Sequence, residues 1–261
     1  MPRVAEPERT GGATALHWYG IARSAVIYYG NPAKRRRARA FYREFVAPGA
    51  LCFDIGAHVG DRIGHFRALG ARVVALEPQP RLMQVLRWCY GRDPAVTLIE
   101  AAAGARPGEA ALLAPATNPT VASLSPDWVA AVARRPEFRG NRWRPAGTVA
   151  VTTLDALIER FGSPAFCKID VEGFEAEVLA GLSRPITALS LEYLCPTLDI
   201  AIAAVRRLTL LGSYRFNFSR GETMRFALDA WCDETALIEH LRALPPEHGS
   251  GDVYARLAPR E

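Results

Sequence analysis

Two clusters of residues, with one acid beside them, have the types and spacing to do chemistry. The first is Phe53-Asp54-Ile55-Gly56-Ala57-His58-Val59-Gly60-Asp61, which follows the apolar run Ala50–Phe53. A second apolar run, Arg72–Leu76, ends in the carboxylate Glu77. A strand, a glycine turn, a helix, a second strand and a terminal acid make half of a nucleotide-binding unit. The glycines let backbone approach a ligand closely, and Glu77 can accept hydrogen bonds from ribose hydroxyls. The turn reads D-x-G-x-x-x-G, wider than the G-x-G-x-x-G of dinucleotide sites. An acid at Asp54 would repel a pyrophosphate and favour a cation. The ligand that joins adenosine to an ammonium and a sulfonium is S-adenosylmethionine, with S-adenosylhomocysteine as its product. Asp54, Gly56, Ala57, His58, Gly60 and Glu77 are therefore read as cofactor-binding. Asp54 would sit near the amino-acid part, directly or through the loop amides.

The second cluster is Lys168-Ile169-Asp170-Val171-Glu172-Gly173-Phe174-Glu175. If the strand continues through it, Lys168, Asp170 and Glu172 share one face. Open α/β sheets bind ligands at the carboxyl ends of their strands, so these acids should border the reactive end of the cofactor. A lysine in an apolar strand needs a partner, and Asp170 is the nearest candidate. Glu192, at the end of Leu189-Ser190-Leu191-Glu192, adds a third acid to the same rim. Lys168, Asp170, Glu172 and Glu192 are the candidate catalytic set. The three carboxylates could hold a divalent cation, but a metal is not the favoured reading. His58 could touch ligand or donate to backbone. His65 reads as structural, and His17, His240 and His248 as surface residues.

These residues need a scaffold. From Ala50 onward, short apolar runs alternate with helical segments: Arg62 to Leu69, Pro80 to Tyr90, and later Thr153 to Phe161, Phe174 to Leu182 and Asp199 to Leu211. That is the pattern of an α/β chain with a mostly parallel sheet covered on both faces. Gly70 and Gly91 are expected just past helix ends. Further strands are expected at Ala165–Asp170, Ala188–Glu192, Tyr214–Phe218, Met224–Leu228 and Val253–Leu257, with a helix from Asp233 to Leu244. Residues 115–147, rich in proline and arginine and carrying Trp128 and Trp143, are too long for a plain connector and read as a lid or substrate-binding insertion. Either tryptophan could stack on a sugar ring or fill the core. Residues 1–12 read as a loose tail and residues 13–48 as a helical extension. The catalytic domain is expected over residues 49–261.

Composition excludes several classes. The 261 residues are 49% hydrophobic and 23% charged, ordinary values for a globular protein. No apolar run suggests a membrane span or a signal peptide. Five scattered cysteines without a C-x-x-C pair suggest reduced thiols and a cytoplasmic chain, and make a zinc site improbable. The net charge of +5 and the run Lys34-Arg35-Arg36-Arg37-Ala38-Arg39 read first as a solvated basic face, with an acidic partner or nucleic acid as the alternative.

The blocks Phe53–Asp61, Val74–Pro78, Ala102–Gly108, Thr153–Leu157 and Lys168–Gly181 resemble the FkbM family of S-adenosylmethionine-dependent methyltransferases. The run from Lys168 to Gly181 is the most specific part. The resemblance implies a class I methyltransferase (Rossmann-like) fold, a seven-stranded sheet with an antiparallel last strand, and added cofactor contacts at Pro78, Ala102 and Ala103. It also implies methyl transfer, usually to a hydroxyl of a sugar or secondary metabolite, a small-molecule or carbohydrate acceptor. Trp88-Cys89-Tyr90 departs from the family pattern. In such a reaction Asp170 or Glu172 would take the acceptor's proton or anchor its hydroxyl, with Lys168 setting charge and geometry. Two alternatives stay open. One is an RNA or DNA methyltransferase, which the absence of an Asp/Asn-Pro-Pro-aromatic signature disfavours. The other is a cofactor-binding partner protein without catalysis.

Overall fold

A computed structural model describes residues 31–115 and 118–258. The tail expected at residues 1–12 and the first part of the expected helical extension, residues 13–30, lie outside them. Asn31 caps the first described helix, α1 (Pro32–Tyr42), through its side chain, with Pro32 in the first turn. Although α1 carries the basic run, its other side buries Ala38 and Tyr42. The Tyr42 ring meets Phe66 and Phe166 edge-on. The described part of the extension is thus packed into the core.

Strand β1 (Leu51–Ile55), helix α2 (Asp61–Ala68), strand β2 (Arg72–Leu76), helix α3 (Pro80–Tyr90) and strand β3 (Val96–Ile99) follow as the alternation requires. β1 is buried along its whole length. Leu51, Phe53 and Ile55 enter one hydrophobic cluster and Cys52 another, because successive side chains point to opposite faces. Asp54 falls on the same side as Cys52. Gly70 ends α2 with φ +82°, as expected. Gly91 instead stays right-handed, at φ −64°.

Ala102–Ala103 (β4) leaves the main sheet. It pairs with β6 (Trp143–Thr152), which pairs antiparallel with β5 (Gly108–Pro115). Between β5 and β6 lies α4 (Pro126–Val132), capped by Ser125. The long insertion is therefore a hairpin carrying a short helix. Its core is aromatic: Trp128, Phe138 and Trp143 contact one another edge-on or tilted. Trp128 is only 2% exposed, which settles its role as packing.

The chain then runs through α5 (Leu154–Phe161), β7 (Phe166–Ile169), α6 (Glu175–Ala180), β8 (Ala188–Leu194), α7 (Leu198–Leu211), β9 (Tyr214–Arg220), α8 (Glu234–Arg242) and β10 (Ser250–Leu257). The main sheet has the order β3-β2-β1-β7-β8-β10-β9. The last strand, β10, is antiparallel to both neighbours. The strand expected at Met224–Leu228 does not form. That segment is irregular, and Phe226 is instead an aromatic plug against Phe41, Trp231 and Tyr254.

Candidate active site

The carboxyl ends of β1, β2 and β7 lie side by side, in register at Asp54↔Ala75 and Asp54↔Lys168. Gly56 makes that proximity workable. It has φ +86°, and a β-carbon there would stand 1.9 Å from the carbonyl oxygen of Asp170. Gly60 serves the scaffold. A β-carbon there would meet the Tyr90 ring at 2.6 Å, and Tyr90 donates its hydroxyl to the Gly60 carbonyl at 3.0 Å. The unusual Trp88-Cys89-Tyr90 thus has one functional member in the packing, while Trp88 points outward at 87% exposure.

A cavity of about 540 Å³ opens above these strand ends. Its lining includes Gly56, His58, Glu77, Pro78, Ala102 and Ala103, all expected cofactor contacts. Leu76 and Leu112 add apolar walls, and Pro119 and Thr120 of the insertion help to close it. Gln79 donates from its side chain to the Pro119 carbonyl at 3.0 Å, tying the insertion to the end of β2. Glu77 is held by two backbone amides, His58 N–H and Gln79 N–H, each at 2.9 Å. Burial nonetheless pushes its carboxyl up to about 7. An apolar slot beside a fixed carboxylate fits adenosine and its ribose diol. His58, at φ 50°, lines this cavity and the next one. Burial lowers its pKa to about 4, so the imidazole is neutral at pH 7.

Asp54 lines neither of these two cavities. It is 1% exposed, and neither carboxylate oxygen has a hydrogen-bond partner. Burial raises its pKa to about 7, against the pull of Arg62 and Lys168. It lies under the loop, within the electrostatic reach of these cations.

Lys168 is fully buried, and Asp170 is not its sole partner. Its Nζ donates to Asp252 Oδ1 at 2.6 Å and lies 3.3 Å from Asp170 Oδ2. Asp252 comes from β10, and the Tyr254 hydroxyl donates to its other oxygen at 3.2 Å. Burial favours the neutral amine, but Asp170 and Asp252 outweigh it and keep Lys168 charged. Burial would likewise raise the Asp170 carboxyl, yet Lys168 and then Arg62 hold it below the usual range.

The strand does not continue to Glu172 as the alternation suggested. β7 ends at Ile169, and Glu172 takes a left-handed backbone at φ 51°. The insertion fixes this turn. Ser123 donates its hydroxyl to the Glu172 carbonyl at 2.7 Å, and Trp128 packs so close to Gly173 that a β-carbon would come within 2.2 Å. Glu175 Oε1 accepts from Val171 N–H and Gly173 N–H, closing the turn from the other side. As a result, oxygens of Asp170, Glu172 and Glu192 lie within 4.8 Å of one another. Burial, and then the charges of the neighbouring acids, push Glu172 and Glu192 well above the usual carboxylate range. Among the described residues this trio is also the group that could hold a metal ion.

The seven-stranded order, with its antiparallel last strand and a cavity over the glycine turn, is that of a class I S-adenosylmethionine-dependent methyltransferase. The model of the FkbM methyltransferase domain matches residues 54–194, and the chain belongs to that family, with S-adenosylmethionine as its cofactor. A search of the curated proteins finds no match. Solved structures similar to this chain include an O-methyltransferase from Bacillus cereus in complex with SAH. The two share 13% identity over 98% of this chain and 94% of that one, with a TM-score of 0.48. Another is a TehB-like SAM-dependent methyltransferase from Corynebacterium glutamicum, with 10% identity, 94% and 99% coverage and a TM-score of 0.47. A third is precorrin-6y C5,15-methyltransferase from Geobacter metallireducens, with 16% identity, 86% coverage of both chains and a TM-score of 0.45.

Proposed function

We propose that the protein methylates a hydroxyl oxygen of a small-molecule or carbohydrate acceptor, with Glu172 or Glu192 receiving its proton. The supporting observation is the carboxylate trio beside the cofactor cavity. The bound cofactor supplies an activated methyl group on a sulfonium, so the protein's main tasks are orientation and proton removal. Three acids this close do not all stay ionised. Asp170, paired with Lys168, keeps its charge and faces the cationic cofactor. Glu172 and Glu192 share the remaining proton balance, and one of them accepts the hydroxyl proton as the new carbon–oxygen bond forms.

The test is formation of S-adenosylhomocysteine across a panel of sugars, glycolipids and polyketides. Glu172→Gln should lower turnover about a hundredfold or more, while calorimetry finds the affinity for S-adenosylhomocysteine within about twofold of wild type. Unchanged turnover would remove Glu172 from the set. Methylation of nitrogen or carbon acceptors alone would overturn the hydroxyl reading. The same oxygens favour one second reading, a divalent cation that holds and polarises the hydroxyl. Loss of turnover with chelator and its return with magnesium would select it.

A further inference from the structure

The positive charge of the chain is concentrated in one stretch. Residues 9–43 hold eight lysines and arginines and no aspartate or glutamate. The whole chain carries only +5, so the remainder is net acidic. Within this stretch α1 carries Lys34, Arg35, Arg36, Arg37 and Arg39, and Arg43 follows at its C-cap.

This placement works against the helix. The first turn of α1 holds no acid, although the helix dipole favours one there. Arg36, Arg39 and Arg43 recur at i, i+3 and i+7, so they share one stripe and repel one another. The other side of α1 belongs to the core, through Ala38 and Tyr42. Arg36, Arg37 and Arg43 are exposed, and Arg39 is half-buried with no hydrogen-bond partner for its Nε. Nearby acids are engaged elsewhere: Glu44 with Arg256, and Glu222 with Lys34 and Arg62. Among the described residues no acid pairs with Arg36, Arg37, Arg39 or Arg43. Cations that the fold neither pairs nor needs for its helix point to an anion outside the chain.

Two observations choose among anions. The arginine stripe carries no aromatic side chain: Phe41 packs on Phe226 and Tyr254, and Tyr42 is buried. It therefore has no stacking platform for unpaired bases. The sequence just before α1, residues 14–29, holds Trp18, Tyr19, Tyr28 and Tyr29 among aliphatic residues, with no acid. Aromatic and aliphatic side chains next to a polybasic face suit an anionic bilayer interface.

We propose that the outer face of α1 docks on an anionic membrane surface, with Arg36, Arg37, Arg39 and Arg43 contacting the lipid headgroups. The first turn of α1 is tied to the site. Lys34 pairs with Glu222, which lines a polar cavity of about 480 Å³ beside the one over the glycine turn. Docking thereby brings the mouth of the site next to the bilayer. The inference stands whichever acceptor the enzyme uses.

The test sediments the full chain with vesicles of phosphatidylcholine alone and of phosphatidylcholine with phosphatidylserine. Wild type should bind the second kind about tenfold or more tightly, and added salt should abolish the difference. Arg36→Gln/Arg37→Gln/Arg43→Gln should weaken that binding about a hundredfold, from the usual contribution of each arginine near a charged surface. Its affinity for S-adenosylhomocysteine should be unchanged. A matched variant of exposed arginines on the insertion, Arg134→Gln/Arg139→Gln/Arg142→Gln, should bind vesicles as wild type does. Equal binding of wild type to both kinds of vesicle overturns the proposal, as does full binding by the α1 variant. Equal loss in the two variants overturns it too, because net charge would then be the cause. Preference for duplex RNA over the phosphatidylserine vesicles at the same salt would assign the face to nucleic acid instead. Should the α1 variant not fold, the vesicle comparison and the RNA competition decide the question with wild type alone.

Discussion

Glu77 is the residue whose role is most directly testable. Its carboxylate is fixed by two amides and faces the cavity over the glycine turn, so removing its charge should cost cofactor binding and little else. Glu77→Gln is expected to weaken S-adenosylhomocysteine about tenfold or more, read by calorimetry. Asp54 makes a different prediction. Its pKa is raised to about 7 from an unfolded value near 3.8, chiefly by burial. A raised folded pKa contributes stability that is full below the unfolded value and is lost as pH rises through the folded one. Between about pH 4 and pH 7, Asp54 should therefore tilt the wild-type stability curve downward by at most about 1.4 kcal/mol per pH unit. Asp54→Asn should flatten that slope, which urea titrations at several pH values would show. An identical slope in both proteins would mean that Asp54 ionises freely in the folded state.

At the scale of elements, the insertion and the end of β7 form one device. The left-handed turn at Glu172 is held by Ser123, Trp128 and Glu175 around it. Ser123→Ala should cost about 1 kcal/mol of stability and lower turnover by loosening Glu172, with cofactor affinity retained. Gly173→Ala should be worse, by roughly 1–3 kcal/mol, because the residue has φ +87° and the Trp128 ring occupies the space. Thermal melts beside single-turnover assays separate the two effects. If Ser123→Ala keeps full turnover, the insertion covers the site without shaping it.

Across the whole molecule, the site depends on a buried ion pair that joins two distant stretches of chain, Lys168 on β7 and Asp252 on β10. These strands are not neighbours: β8 lies between them in the sheet. Breaking one half of such a pair leaves a charge buried alone. Lys168→Met should cost about 3–5 kcal/mol in urea denaturation. The double variant Lys168→Met/Asp252→Leu should recover much of that loss while turnover stays low, since Asp170 has lost its cation. A double variant no more stable than the single one would show that other groups compensate Asp252. The basic face of α1 belongs to this scale too. Its apolar side is core, and among the described residues no helix is long and apolar enough to cross a membrane.

The sequence by itself determined the alternation of strands and helices, the glycine turn, Glu77 and the Lys168–Glu175 block. Each is written locally, in side-chain period, turn chemistry or an acid at a strand end. Only the tertiary structure decided the rest. Asp252 carries no local signal, because an acid in a strand looks like any solvated one until β10 crosses beside β8. Arg62 reads as an ordinary helix residue until Glu222, far along the chain, closes the cavity around it. Alternation placed Glu172 in a strand, but packing by Trp128 and Ser123 overrode it. Charge partners and backbone strain are set by elements distant in sequence, so periodicity could name the acids of this site without arranging them.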